Sequence, residues 1–446
     1  MATSSRSAAA IGRRRFFGLA GGAAAGLALT ACGTSAVADK SSSSPTGTPV
    51  AGSSGSAAAG PAGGTLTVWA NAALTADKTT GLGKAAAAFG TLRGVTVNVQ
   101  GIPTQDLTSK LTTTVGGGAG PDVCIVDSSA VPQLAAGKVL ADISSQSSSI
   151  AGQFVPDTLK YSTYQSKQFG IPYYSNDVVL FLNKDLMGKA GAKAPTSWEE
   201  LRSAAVELTG GNQYGYMMGA SGYGSFLFWP WLWQNGGAIV AEDGITPTFA
   251  DAAGQEAFAF YADLAIKQKV APPEFVAANS SWDAYVAPFV QGKVAMMATG
   301  PWATASIKKG NPNMNWEVAP LPTRKQAATV LGGATIGVTT STGRADLAWE
   351  FVEWITSADQ VGAIQDTGNI PGRKEILTSD WAKADPTRSV FVAEIANAKA
   401  RPTLPTWGAV EWGVMADAWD SVIQGKSEPI PALTKAQTDS VAKLKG

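Results

Sequence analysis

From Thr65 onward, short apolar runs alternate with stretches of helical spacing, and this alternation limits the chain to a small set of folds. The runs TLTVWA (65–70), VTVNVQ (95–100) and PDVCIVD (121–127) have the composition of strands. Between them, residues 84–89 and 106–115 show helical spacing. Strands that alternate with helices are typical of α/β units on a mostly parallel sheet. The third run is apolar without alternation, which indicates a strand covered on both faces.

Chain length and composition narrow the class further. The 446 residues are too many for one ordinary core, so we expect two lobes. The chain has no histidine, which excludes His-dependent triads, His-ligated zinc and a His general base. Lys plus Arg equals Asp plus Glu at 34 each, and there is no basic stripe of the kind that binds nucleic acid. We expect neither a metal nor a cofactor.

The N-terminal residues have the composition of an export signal. GRRRFFGLAGGAAAGLALTAC (12–32) has three arginines followed by an Ala/Gly/Leu stretch that is too short and glycine-rich to span a membrane comfortably. Arginines followed by FF resemble the twin-arginine export signal. LTAC (29–32) resembles the bacterial lipobox, which implies cleavage before Cys32 and its acylation. The sequence therefore predicts a signal peptide over residues 1–31 and a lipid anchor on the extracellular face of the cell membrane.

The segment after Cys32 is predicted to be a disordered tether. Residues 32–64 contain almost no large apolar side chains, so they cannot bury enough surface to fold. A flexible coil of about thirty residues reaches roughly 30 Å. An acylated Cys32 is unavailable for a disulfide, so Cys124, which lies in an apolar run, is expected to be a buried free thiol.

Segments throughout the remaining chain resemble family 1 extracellular solute-binding proteins, the sugar-binding components of ABC importers. The resemblance covers essentially all of Thr65 to Leu444, in the order that the family has. The stretches that carry it are GPDVCIVDSSAVPQLAAGKVLADI (120–143), FGIPYYSNDVVLFLNKDLMGKAGAKAPTSWEEL (169–201), FVQGKVAMMATGPWA (289–303), AWEFVEWITSADQ (348–360), TGNIPGRK (367–374) and the closing ARPTLPTW (400–407) with AWDSVIQGK (418–426).

The resemblance implies an α/β, two-lobed periplasmic-binding-protein-like fold with a hinge and an interlobe ligand cleft. By the same resemblance, the chain crosses between the lobes near residues 173–183, again near 331–337, and a third time after Lys374. The resulting boundaries are 65–174 plus 332–378 for lobe one and 175–331 plus 379–446 for lobe two.

Polar and aromatic side chains lie at the ends of two strands of the predicted lobe one. Trp69 and Asn71 end the first strand, and Asp127 and Ser128 end the strand VCIVD. In open α/β sheets, ligands bind beyond the carboxyl ends of the strands, so we expect these residues at the cleft. For Asp127, a hydrogen bond to a sugar hydroxyl competes with capping of the next helix.

Aromatic plates are the other component expected of a sugar site. Each stacked sugar face removes on the order of 100 Å² from water, or roughly 2.5 kcal/mol. Trp302 in GPW is the strongest candidate, because the family often carries a stacking aromatic there. The three tryptophans of WPWLWQNGG (229–237) cannot all face one way in a helix, since only positions i and i+4 align. We expect one or two of them to reach the ligand, with Trp231 favoured and Trp233 the second candidate, while the others pack the core. The Asn235–Gly237 stretch is expected to form a turn.

The crossings supply the remaining candidates. Some residues there either touch the ligand or only pack the hinge, and these are Tyr174, Asn176 and Gly333 together with Trp407, Glu411 and Trp412 near the last crossing. Arg373 is expected to be structural. Trp198 follows a Thr/Ser helix cap and is expected in the core.

The resemblance implies a monomeric, lipid-anchored receptor that captures a mono- to oligosaccharide by hinge closure and delivers it to ABC permease subunits, without covalent chemistry. The same fold could bind a polyol or a polyamine, or serve as a sensory lipoprotein. A polyamine site needs several carboxylates, whereas the cleft segments offer mainly Asp127, Asp177 and Glu411. A carboxylate-pair glycosidase needs two carboxylates that flank the scissile bond, and the motif-bearing loops contain no such pair.

Overall fold

The computed structural model describes residues 63–75, 81–273, 282–360, 364 and 368–445. The predicted signal peptide, Cys32 and almost all of the predicted tether lie outside the described residues. In the part of the chain that is described, no helix is long and apolar enough to cross a membrane.

The helices and strands alternate along the chain, as the sequence predicts. The strands are β1 Thr65–Asn71, β2 Thr96–Ile102, β3 Val123–Asp127, β4 Thr163–Tyr164, β5 Lys167–Gln168, β6 Ile171–Asn176, β7 Val179–Asn183, β8 Tyr214–Met217, β9 Val294–Thr299, β10 Trp316–Ala319, β11 Thr329–Val330, β12 Gly332–Val338, β13 Ile370–Pro371 and β14 Ala398–Lys399. The helices are α1 Gly81–Arg93, α2 Thr104–Gly116, α3 Val131–Ala136, α4 Ser144–Ser147, α5 Pro156–Tyr161, α6 Lys184–Lys189, α7 Trp198–Glu207, α8 Ser221–Gln234, α9 Ala252–Ile266, α10 Trp282–Val290, α11 Ala303–Gly310, α12 Ala345–Ile355, α13 Lys374–Leu377, α14 Asp380–Lys383, α15 Pro386–Glu394, α16 Trp407–Ala409, α17 Met415–Ile423 and α18 Pro429–Lys445. A π-helical turn, Val410–Val414, joins α16 to α17.

The sheet of lobe one has the strand order β13-β6-β12-β3-β1-β2. Strands β1, β2 and β3 run parallel to one another, as expected for α/β units. The expectation of a mostly parallel sheet is wrong for the other half, because β12 pairs antiparallel with both β3 and β6. Strand β12 enters this sheet on its return from the second lobe, and it therefore runs against the strands that precede the crossing.

The sheet of lobe two has the order β10-β7-β9-β8, and it too is mixed. Strand β7 is antiparallel to β9 and β10, whereas β8 and β9 are parallel. Every residue of β7 and β9 is buried, so helices cover both faces of this sheet. The strands lie on the sides of the crossings that the resemblance implies, while the residue limits of the lobes remain a prediction.

Two chain crossings lie side by side between the sheets. Residues 177–178 connect β6 to β7, and Leu331 separates β11 from β12. They are tied together by Thr329, whose hydroxyl donates to the Val178 carbonyl at 2.6 Å. The third passage follows β13, after which α15 packs on the second sheet with Phe391 against Phe181. These neighbouring connections form the hinge.

Helix α8 is the central helix of lobe two. All of its residues from Gly224 to Gln234 are buried, although the helix contains Pro230. The Asn235–Gly237 stretch turns away from it, with Gly236 at φ +85°, as predicted. Trp198 is wholly buried behind the Ser197 cap, which confirms its predicted place in the core.

Cys124 in β3 is a buried free thiol, as expected. Burial in this apolar strand raises the pKa of the Cys124 thiol to about 12. It is therefore an inert part of the lobe-one core rather than a reactive group.

Candidate functional site

Asp127 lies at the carboxyl end of β3, where lobe one faces lobe two. Its Oδ1 accepts hydrogen bonds from the Ser129 amide at 2.8 Å and the Ser129 hydroxyl at 2.6 Å. Asp127 thus caps the short helical turn Ser128–Ala130, as one of the two expected roles requires. Half of the side chain remains exposed, and Oδ2 accepts no hydrogen bond from the described residues. One carboxylate oxygen is therefore left to accept from a ligand.

Arg401 brings lobe two to this carboxylate. Its Nη2 lies 3.7 Å from Asp127 Oδ1, and its Nη1 donates to Glu411 Oε2 at 2.7 Å. The Arg401 backbone amide donates to the hydroxyl of Tyr161 in lobe one at 2.6 Å. Arg401 is only 3% exposed, and its Nε has no hydrogen-bond partner among the described residues. The guanidinium is thus a buried junction between the lobes, with donor capacity to spare.

Four aromatic rings continue from Arg401 across lobe two, and we call them the aromatic shelf: Tyr223, Phe226, Trp302 and Trp412. The Arg401 guanidinium lies over the Phe226 ring, 5.2 Å from its centroid. Phe226 stacks on Trp412 at 6.2 Å with 19° between the ring planes. Phe226 also packs on Tyr223 at 5.9 Å, and the Trp302 indole donates to the Tyr223 hydroxyl.

Local sequence fixes the shelf in place. Helix α8 begins at Ser221, whose amide and hydroxyl each donate to the Asp420 carboxylate at 2.7 Å. Tyr223 and Phe226 are three residues apart on its first turns and lie on one face. Trp302 ends the loop after β9, and its ring folds over Gly300, where a methyl group would lie 2.0 Å from it.

Trp412 is the most accessible ring of the shelf, with 48% of its surface exposed. It is part of the π-helical turn, an uncommon geometry that is frequent at functional sites. Its indole lies over Gly222, where a methyl group would be 2.5 Å from the ring, and against Phe226. With that side covered by protein, the remaining surface of the indole is open to a ligand.

The structure does not place Trp231 and Trp233 at this site, contrary to the expectation from sequence. Trp231 is 6% exposed and packs on Trp198 at 5.0 Å and on Phe260 at 5.6 Å. Trp233 is 4% exposed. The reason is that α8 is buried from Gly224 to Gln234, so both indoles lie inside lobe two. The cluster of tryptophans builds the core of lobe two.

Trp407 and Glu411 are also inside the core rather than at the surface of the cleft. Both are 0% exposed. The Glu411 carboxylate accepts from the Trp229 indole at 2.9 Å and the Trp407 indole at 3.2 Å, besides Arg401. These donors occupy both of its oxygens, so Glu411 acts as the counterion of Arg401. Its expected role as a ligand contact is not what the structure shows.

Two of the expected lobe-one contacts are covered by their own lobe. Trp69 is 7% exposed, and Lys110 of α2 lies over its ring at 4.9 Å. Ser128 is 4% exposed and shares a 3.0 Å hydrogen bond with the Thr335 hydroxyl. Asn71, the last residue of β1, remains half-buried at the expected sheet edge.

The expected crossing residues form the hinge. Tyr174 is half-buried in β6, and burial together with the charge of Asp127 raises the pKa of its hydroxyl. Asn176 donates from Nδ2 to Asn369 Oδ1 at 3.1 Å. Gly333 has φ +148°, and a methyl group there would lie 2.3 Å from the Tyr174 carbonyl oxygen. Gly333 is explained by this close approach of two strands.

The hinge contains a buried carboxyl group that has no hydrogen-bond partner. Asp177 is 0% exposed, and neither carboxylate oxygen finds a partner among the described residues. Burial raises the pKa of Asp177 well above its ordinary value, and the nearby Glu394 carboxylate adds to the shift. Burial also raises the pKa of Glu394. Asp177 is therefore an internal group of the hinge rather than an accessible carboxylate of the cleft.

The sequence reading missed Arg401, Tyr223 and Phe226. The ion pair of Arg401 with Glu411 has no signal in the sequence, because a separation of ten residues matches neither helical nor strand neighbours. The i, i+3 spacing of Tyr223 and Phe226 at a helix start is a recognisable signal for a shared face. No group of three or more His, Cys, Asp or Glu residues suited to hold a metal ion occurs among the residues described.

Known proteins resemble this chain in sequence and in fold. A putative binding protein of Brucella abortus is 27% identical over 360 residues, which cover 79% of this chain and 86% of that protein. The solute-binding protein of an ABC transporter from Thermotoga lettingae, solved with α-D-tagatose, has a TM-score of 0.78 at 26% identity, covering 85% of this chain and 99% of that one. The GacH receptor of Streptomyces glaucescens, solved unliganded and with acarbose, also has a TM-score of 0.78 at 26% identity, covering 86% and 98%.

The family assignment rests on the match to a family model. The model described as bacterial extracellular solute-binding protein matches residues 84–390, which is more than half of the chain. The two sheets and the hinge between them agree with the two-lobed fold of the solved relatives. The chain belongs to the bacterial extracellular solute-binding proteins.

Proposed function

We propose that this protein is an exported, lipid-anchored receptor that closes on a carbohydrate and delivers it to the permease of an ABC transporter, without chemistry of its own. Relatives of the same fold were solved with α-D-tagatose and with acarbose, and both are carbohydrates. Lobe closure would enclose the ligand between Asp127 and the aromatic shelf. The closed form is then the one that the permease recognises.

The observation that carries the proposal is the exposed Trp412 surface on one side of the cleft and the open Asp127 carboxylate oxygen on the other. The apolar C–H face of a sugar ring can stack on the indole. A hydroxyl at the ring edge can donate to Asp127 Oδ2. One pyranose thus meets both kinds of group.

A polyamine-binding site and a glycosidase site would both require more accessible carboxylates than this cleft has. Of the three carboxylates expected for the cleft, Asp177 and Glu411 are 0% exposed. Asp127 alone does not make the multiply anionic site that a polyamine needs. A glycosidase needs an acid and a second carboxylate beside the bond, and Glu411 is occupied by Arg401 and two indoles. A carbohydrate-binding role without catalysis is the better match.

Replacement of Trp412 by alanine is expected to weaken carbohydrate binding by about 2 kcal/mol, or roughly thirtyfold, because one stacked face is lost. Trp302→Ala is expected to act in the same direction. The measurement is a titration with D-tagatose and maltotriose followed by tryptophan fluorescence. Leu92→Ala is the matched control, because Leu92 is 57% exposed on α1 and outside the shelf. Equal affinities for Trp412→Ala and Leu92→Ala would contradict the stacking role.

The lipid anchor is proposed from the lipobox-like LTAC, and its removal has a direct readout. The variant Cys32→Ala is expected to lose incorporation of labelled palmitate and to leave the membrane fraction for the medium. Replacement of Arg13 and Arg14 by lysine is the corresponding test of twin-arginine export. Absence of palmitate label from the wild-type protein would rule the anchor out. Light scattering of the released form is expected to give the mass of one chain.

A further inference from the structure

Gly368 in lobe one lies against the loop of lobe two that carries Trp302. Gly368 precedes β13, and a methyl group placed on it would lie 2.5 Å from the Pro301 carbonyl oxygen and 2.6 Å from Thr304 Oγ1. Non-bonded carbon atoms prefer separations of roughly 3.5–4.0 Å. A side chain at position 368 would therefore hold the two lobes apart by about 1 Å.

The lobe-two side of this contact cannot give way easily. The Pro301 carbonyl accepts hydrogen bonds from the Thr304 amide at 3.1 Å and from the Thr304 hydroxyl at 2.7 Å. The Ala303 amide donates to the Gly300 carbonyl at 3.1 Å. These bonds form the first turn of α11. Trp302 belongs to the same turn, and its ring is held over Gly300 and bonded to Tyr223.

The lobe-one side is equally well fixed. Ile370 pairs with Ser175 in the sheet, and Asn369 accepts a hydrogen bond from Asn176 at the first crossing. Gly368 therefore moves with the lobe-one sheet and the hinge. The contact lies between the lobe-one sheet and the turn that begins α11, and it leaves no room for a methyl group at position 368.

We propose that Gly368 is the closure contact of the cleft, a positioning residue that sets how closely lobe one approaches the turn that carries Trp302. This inference rests on the proposed function, in which closure of the lobes encloses a carbohydrate. Closure stops when the Gly368 backbone meets Pro301. The stop fixes the distance between the lobe-one ligand groups and the Trp302 ring, and thereby the size of the enclosed space.

The test compares Gly368→Ala with Gly118→Ala in the full-length chain. Both glycines have φ +75°, so the two substitutions introduce the same backbone strain. A methyl group on Gly118 meets nothing within 4 Å, so only Gly368→Ala blocks closure. Because the backbone strain is shared, the shift in thermal unfolding of Gly118→Ala measures the part of the Gly368→Ala shift that comes from strain alone.

The distance between the lobes is measured by pulsed electron paramagnetic resonance. Spin labels are placed at Gln146→Cys on α4 and Lys309→Cys on α11, both exposed positions, in a Cys32→Ser, Cys124→Ser background. The shortest populated distance is expected to increase in Gly368→Ala, and to increase further in Gly368→Val. Gly118→Ala is expected to match the wild type.

Calorimetric titration with maltotriose supplies the second readout. Affinity is expected to fall about tenfold in Gly368→Ala and to stay unchanged in Gly118→Ala, because the apparent affinity scales with the fraction of molecules able to close. A Gly368→Ala chain with the wild-type shortest distance would overturn the closure contact, whatever the ligand. If maltotriose gives no heat of binding with the wild type, the result counts against maltotriose as the ligand. The spin-label distance then decides the role of Gly368.

Discussion

Replacement of Arg401 by methionine is expected to lower the free energy of unfolding by about 3–5 kcal/mol, because it leaves the Glu411 carboxylate buried without its cation. Glu411 is 0% exposed and cannot turn to solvent. Burial already raises the pKa of Glu411, and loss of Arg401 raises it further. The native variant then takes up a proton that the unfolded chain releases at neutral pH, so its deficit should shrink as the pH falls.

Urea unfolding followed by tryptophan fluorescence at pH 8 and pH 5 measures this effect. The double variant Arg401→Met, Glu411→Gln is expected to recover part of the loss, since no uncompensated charge remains. The matched control is Lys160→Met, which breaks an exposed pair with Asp157 and should cost at most about 1 kcal/mol. An Arg401→Met loss no larger than that of Lys160→Met would show that the buried junction does not stabilise the fold.

Replacement of Asp177 by asparagine is expected to stabilise the protein at neutral pH relative to acid pH. The pKa of Asp177 is raised well above its ordinary value by burial and by Glu394. Between these two values the native state holds a proton that the unfolded chain has lost, so stability falls as pH rises. Asparagine does not titrate, so its stability lacks this pH dependence. The free energy of unfolding of the variant relative to the wild type should therefore grow by up to about 1.4 kcal/mol per pH unit above the ordinary carboxyl pKa.

The informative quantity for Asp177→Asn is the slope of the stability difference against pH, because a buried amide has a constant cost of its own. Urea unfolding is measured from pH 4 to pH 8 for the wild type and the variant. Asp417→Asn, an exposed position on α17, controls for the loss of a negative charge. A slope for Asp177→Asn equal to that of Asp417→Asn would mean that Asp177 is ionised in the folded protein.

The residues of the candidate site that could be predicted from sequence are those that lie at or just after the end of a strand. Asp127 ends an apolar strand and Trp302 lies in the loop that follows another, and strand ends in α/β lobes face a cleft. Asp127 lies at the predicted end of β3, while a contact of Asp127 or Trp302 with a ligand remains a prediction. Trp412 follows from the resemblance, but its exposure depends on a π-helical turn that no residue pattern announces.

The errors arise from neighbours that are distant in sequence. Trp231 and Trp233 were expected at the ligand because aromatic residues suit a sugar, whereas α9, α17, the π-helical turn and β11 pack around α8 and bury it. Glu411 was expected to face the ligand, and its burial depends on Arg401 and on indoles from two other segments. The expectation of a mostly parallel first sheet was wrong for the same reason, since β12 joins that sheet only after the chain has passed through lobe two.

The central claim is that the protein binds a carbohydrate between Asp127 and the aromatic shelf. Its most direct test is calorimetric titration of the full-length chain with D-tagatose, maltotriose and acarbose, and with glycerol and spermidine as the rival polyol and polyamine. Saturable binding of at least one carbohydrate, weakened in both Asp127→Asn and Trp412→Ala, is the expected result. Binding of glycerol or spermidine without any carbohydrate, or carbohydrate binding that neither substitution alters, would contradict it.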